Sequence, residues 1–172
     1  MFENIKADIK RFGDGRISLR IILRGLLSQG FQAIVVYRFF HWLQEKNIPA
    51  QPFRFIIERF IEITTGISIP AECKIGKGLR IHHFGSIIMH PKVQIGDNCT
   101  LYHEVTIGDR GEHGGAATIG NNVLIGVGAK IIGEIAIGDN CKIGANTVVN
   151  KNVPADTIVS SPHCDFHNKS IS

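Results

Sequence analysis

Residues 121–149 read NNVLIGVGAKIIGEIAIGDNCKIGANTVV, and a branched aliphatic side chain returns at Ile125, Ile131, Ile137, Ile143 and Val149. That spacing fits neither the helical period nor the alternation of a half-buried strand, so repeated short strands joined by turns must carry it. Working outward, the same spacing holds at Ile119, at Ile107, Leu101 and Ile95, and at Ile87, Ile81, Ile75 and Ile69. It is interrupted twice, by two extra residues between Ile87 and Ile95 and by the stretch GDRGEHGGAAT between Ile107 and Ile119. Three such hexapeptides make one triangular coil of a left-handed parallel β-helix, each coil stacking about 4.8 Å from the last.

In this register the aliphatic points into the prism, and the glycine that follows it in IGKG, IGDN, IGNN, IGVG and IGAN permits the tight turn at the corner. A second inward position recurs four residues later, at Cys73, Leu79, Cys99, Val123, Ala129, Ile135, Cys141, Thr147 and Val153. Cys73, Cys99 and Cys141 are therefore read as small core residues, their spacing matching no zinc pattern; Cys164 is left unassigned.

Residues 1–64 carry a different pattern and are read as a small helical domain, with 65–154 as the β-helix and 155–172 as a tail. A short helical segment over 8–12 ends at Gly13 and Gly15, helices over 18–27 and 31–43 follow, and Phe53, Ile56, Ile57, Phe60 and Ile61 recur at helical intervals after Pro52. These helices are expected to pack on one another and on the prism, a membrane-surface patch being the alternative. Arg20, Arg24 and Arg38 interrupt the apolar region 17–43, and each would cost roughly 2.5–3.5 kcal/mol at mid-bilayer. The charged start MFENIKADIKRF lacks the pattern of a secretion signal, and a cytoplasmic protein is expected. With 172 residues, 44% of them hydrophobic, the chain can bury a core. Its net charge of +4 gives little support to nucleic-acid binding and suits a phosphate-bearing small molecule as well.

Against this regular background, IHHFGSIIMH (81–90) holds three of the eight histidines. His82 and His83 follow an inward aliphatic, so both fall outside the prism, where paired imidazoles beside an irregularity mark a candidate site. His90 and His103 are read as surface or packing residues, lining of the same site being the alternative.

At these residues the chain resembles the serine acetyltransferase family of hexapeptide-repeat acyltransferases. The matching segments are TGISIPAECKIGKGLRIHHFGSII, CTLYHEVTIG and residues 121–149, with ADIKRF and GFQAIVVYRFFHWL in the helical part. The resemblance implies a homotrimer, with paired trimers as a further option, and acetyl-CoA lying in the groove between neighbouring prisms. It implies that His83 is the general base, with His82 beside it. On the cofactor side it points to Gly126, Val127, Gly128, Ala129 and Ala145, with Lys130 and Lys142 toward the phosphates.

Several positions depart from the family pattern. The second catalytic histidine becomes Ala116, its neighbouring arginine Gly115, the acidic residue before the base His82, and the carboxylate that orients the base Ser68. His113 is the candidate replacement for the second histidine. Because the losses fall on the acceptor side, the expected acceptor is a sugar hydroxyl in exopolysaccharide biosynthesis, a class of relatives with a similar IHHG coil, and L-serine is the alternative. A noncatalytic trimeric scaffold is a third reading. For a sugar acceptor, Tyr102 is a weaker candidate, for stacking against the ring. A zinc site built from histidines five residues apart is not expected, since no pair in the coils has that interval.

Overall fold

A computed structural model describes the chain except for Asp14, Glu112, His113 and residues 162–172. Four helices, α1 (Phe2–Lys10), α2 (Leu19–Leu26), α3 (Gln29–Glu45) and α4 (Phe53–Thr65), precede a stack of coils. The first coil is β1 (Ile67–Ser68), β2 (Lys74–Ile75) and β3 (Arg80–Ile81); the second is β4 (Ile87–Met89), β5 (Gln94–Ile95) and β6 (Thr100–Leu101). The third is β7 (Thr106–Gly108), β8 (Thr118–Ile119) and β9 (Leu124–Ile125); the fourth is β10 (Lys130–Ile132), β11 (Ala136–Ile137) and β12 (Lys142–Ile143). β13 (Val148–Val149) and β14 (Ile158–Val159) complete the stack, so strand pairing continues past residue 154.

Each strand pairs in parallel with its counterpart one coil away, giving three walls: β1-β4-β7-β10-β13, β2-β5-β8-β11 and β3-β6-β9-β12-β14. The fold is therefore the parallel β-helix that the six-residue period predicts. Both inward positions form continuous columns, and Cys73, Cys99, Cys141, Ile125, Ile131 and Ile143 have no exposed surface.

One detail of the register differs from the sequence reading. Ile87 pairs with Ile67, and Met89 is the residue aligned with Ile107. Ile87 thus fills the second inward position, and the two extra residues lie between Ile81 and Met89, in the HHFGS corner. The run Ile87-Ile88-Met89 offers two frames, and pairing selects the one that makes the histidine corner the longer corner.

A β-helix ends in unpaired strand edges, which need a cap. Here α3 supplies it. Tyr37 Oη donates to the Cys73 carbonyl (2.8 Å) and accepts from Ile75 N (3.1 Å), while a ring nitrogen of His41 meets the Ala71 carbonyl at 2.8 Å. Arg38, fully buried, donates to the carbonyls of Ile75 (2.6 Å) and Gly76 (2.5 Å) and pairs with both oxygens of Asp8 on α1 (3.0 and 3.2 Å). Asp8 in turn accepts from Leu79 N at 2.8 Å. Gly30 lets the start of α3 lie against β3, since a Cβ there would come within 2.9 Å of the Ile81 carbonyl oxygen. Arg38, which the apolar pattern presents as an interruption, ties both α1 and α3 to the first coil. The first helix also lies earlier than expected, over Phe2–Lys10, with Glu3 in its first turn and Lys10 in its last matching the helix dipole.

Candidate active site

The corners that lead from the third wall into the first stack as one edge of the prism. In chain order they hold His82, His83 and Phe84; Tyr102, His103 and Glu104; Gly126, Val127 and Gly128; then Gly144, Ala145 and Asn146. Of the expected catalytic and cofactor residues, His82, His83, Gly126, Val127, Gly128 and Ala145 thus share a single edge. Lys130 stands on the first wall and Lys142 on the third, flanking it.

His83 is exposed and sits in the left-handed region at φ 64°, a conformation imposed by the longer corner, whose Gly85 N donates to the Thr65 carbonyl at 2.9 Å. His82 is half-buried and stacks on Tyr102, ring centroids 4.8 Å apart and 10° between planes. One face of Tyr102 is therefore already covered. Burial, aided by Arg80, His83 and Arg11, holds the His82 imidazole below its usual pKa.

His103 belongs to this group, although its sequence context reads as surface or packing. Its ring meets that of His83 edge-on at 5.6 Å, and its buried Nδ1 has no hydrogen-bond partner among the described residues. The register stacks this corner one coil above that of His83, and the structure brings the two rings into contact. His90 lies elsewhere, at the other edge of the first wall, with Nε2 3.8 Å from Asp109.

The cofactor-side residues divide in two. Gly126 and Gly128 are buried beneath the next corner: Gly128 has φ 69°, and a Cβ on it would come within 2.1 Å of Asn146 Oδ1. Val127 and Ala145 present surface. The Ala129 methyl points into the core, at the second inward position, so its backbone is the part that could face a ligand. Lys130 Nζ donates to the Glu104 carbonyl (2.6 Å) and Thr106 Oγ1 (3.2 Å), whereas Lys142 is exposed.

On the acceptor side, Ser68 faces outward on β1, in one row with Ile88, Thr106, Lys130 and Val148. Gly115 and Ala116 lie across the first wall from the histidines, in the loop joining β7 to β8. Ala116 is buried, and the side chain of Glu134 fills the space beside Gly115. His113 lies outside the described residues. The histidine ion pairs among the described residues are His41 with Glu45 and His90 with Asp109, so His83 has no carboxylate partner there. Nor do any three His, Cys, Asp or Glu side chains among them gather to hold a metal.

Residues 116–151 match the family model described as bacterial transferase hexapeptide (six repeats). The serine acetyltransferase of Synechococcus elongatus is 36% identical over 166 residues, covering 94% of this chain and 67% of the relative. The chain belongs to the serine acetyltransferase family. The solved structure of the serine acetyltransferase of Neisseria gonorrhoeae in complex with serine superposes with a TM-score of 0.83 at 28% identity, over 94% of this chain and 66% of the other. That of Brucella abortus strain S19 in complex with coenzyme A gives 0.83 at 29% identity, over 94% and 65%. The chain thus spans about two thirds of each of these relatives. Family membership makes it an acyltransferase of the hexapeptide kind, and these relatives, each a serine acetyltransferase, give no support to a sugar acceptor.

Proposed function

We propose that the chain transfers acetyl from acetyl-CoA to a hydroxyl acceptor and that the acceptor is L-serine. The observation that carries this is the exposed His83 imidazole at the head of an edge whose third and fourth corners, Gly126–Gly128 and Gly144–Asn146, are built mostly of small residues, in a family whose relatives are solved with serine and with coenzyme A. His83 takes the proton from the acceptor hydroxyl as its oxygen attacks the thioester carbonyl. The tetrahedral intermediate then collapses, the C–S bond breaks, and the proton on His83 passes to the departing thiolate, giving ester and free thiol. Val127, Ala145 and the backbone at Gly126, Gly128 and Ala129 would line the pantetheine path, with Lys130 and Lys142 on either side of it.

The histidine corner and the Gly115–Ala116 loop flank the same wall from opposite edges, so in one chain that wall separates them. A homotrimer would bring the histidine edge of one protomer against the loop edge of the next, which supports a site shared between protomers. Ala116 and Gly115, which offer no charge to an amino acid's carboxylate or ammonium, favour a second reading with a sugar hydroxyl as acceptor.

A thiol-release assay with acetyl-CoA against L-serine, nucleotide sugars and oligosaccharides decides between them. Preference for L-serine is expected. Preference for a sugar replaces the acceptor and leaves the chemistry standing, and acetyl-CoA binding without turnover on any hydroxyl acceptor identifies a scaffold.

A further inference from the structure

The helix α2 is held to the protein by a narrow stripe. At about 100° per residue, its positions fall into three sectors. Ile21 and Gly25 form one, and Gly25, the helix's buried residue, lies against Ile9. Leu19, Ile22, Leu23 and Leu26 form a second that turns away from the core, exposed by 72%, 39%, 53% and 53%, with Leu27 following at 83%. Arg20 and Arg24 form the third, both exposed, and Arg16 precedes them. The segment 16–27 contains three arginines and no acid.

An outward aliphatic ridge beside a cationic ridge that has no ion-pair partner among the described residues matches an anionic lipid surface. Aliphatic side chains enter the acyl boundary, while arginine stems lie along it and place guanidinium groups among headgroup phosphates. No single helix among the described residues is long and apolar enough to cross a bilayer, and α3, which with α2 makes a bent pair of sufficient length, is committed to the first coil, so α2 would lie on the surface. The exposed apolar residues of α4 differ in their charge setting: there Arg54 pairs with Glu58 and Glu72, and Arg59 with Glu62, leaving no excess cation to select a partner of one sign. We propose that α2 docks the protein on anionic membrane surfaces, the arginines choosing the charge and the leucines supplying the apolar contact. This stands apart from the acceptor assignment, because it uses no residue of the histidine edge.

The test is co-sedimentation of the full chain with vesicles of phosphatidylcholine alone or mixed with phosphatidylglycerol. Binding to the mixed vesicles is expected, weakened at high salt, with little binding to phosphatidylcholine. The triple variant Arg16→Gln, Arg20→Gln, Arg24→Gln should lower binding about 100-fold, and Leu19→Ser with Leu23→Ser should abolish it, each with wild-type acetyl-CoA turnover. No binding to mixed vesicles at low salt overturns the proposal, as does binding that survives both variants. A leucine variant that changes oligomeric mass, in a protein that does not bind vesicles, assigns the face to a second copy instead.

Discussion

Arg38→Met removes the cap of the prism while keeping most of the side chain's volume. It leaves Asp8, fully buried, with a carboxylate facing the backbone N–H of Leu79 and no cation, and it strips the donors from the carbonyls of Ile75 and Gly76. Breaking a buried ion pair from one side costs about 3–5 kcal/mol, a large share of the roughly 5–15 kcal/mol that stabilises a typical domain. Urea denaturation at fixed protein concentration should therefore show a much lower midpoint at unchanged slope, and a melting temperature lower by about 6–20 °C. Adding Asp8→Asn should restore part of the loss, because the neutral amide still accepts the Leu79 N–H without an isolated buried charge. A loss below about 1 kcal/mol, the value of an exposed ion pair, would refute the reasoning that this pair seals the first coil.

Three further outcomes follow from the same structure. Ile137→Asp puts a carboxylate into the closed column, where Ile137 is almost fully buried, and should abolish soluble expression; a soluble variant melting at the wild-type temperature contradicts the inward assignment. Gly128→Ala forces a side chain into left-handed backbone beside Asn146 and should cost about 1–2 kcal/mol, read from urea midpoints. For His82, the folded pKa lies below the ordinary 6.5, so below that pH the unfolded chain binds more protons. The contribution of His82 to stability is therefore full above 6.5 and falls as the pH drops toward the folded pKa. Urea midpoints across this window should fall less in His82→Gln than in wild type.

The fold was legible because one repeat dominates: every sixth aliphatic from Ile95 to Val149, outside the 108–118 loop, points into the same column. Its frame was ambiguous where apolar residues run together, at Ile87-Ile88-Met89, and only strand pairing resolved it. His82 and His83 could be placed outside the prism from the register alone, since a corner follows Ile81. The same register sets His103 one coil above His83, but the turning of the two rings toward each other shows only in the structure. Arg38 was illegible for a similar reason: its partners Asp8, Ile75 and Gly76 are brought together by the way α1 and α3 sit on the first coil. The acceptor was the hardest to read, because the sequence shows what is missing at Gly115 and Ala116, while the relatives carry the serine assignment.

The most direct test of the central claim is single-turnover acetyl transfer from acetyl-CoA to the preferred acceptor in His83→Ala. Loss of the general base predicts a rate lower by about two to four orders of magnitude, with the assembly and acetyl-CoA affinity of the wild type. A transfer rate equal to wild type would contradict the assignment of His83 as the base.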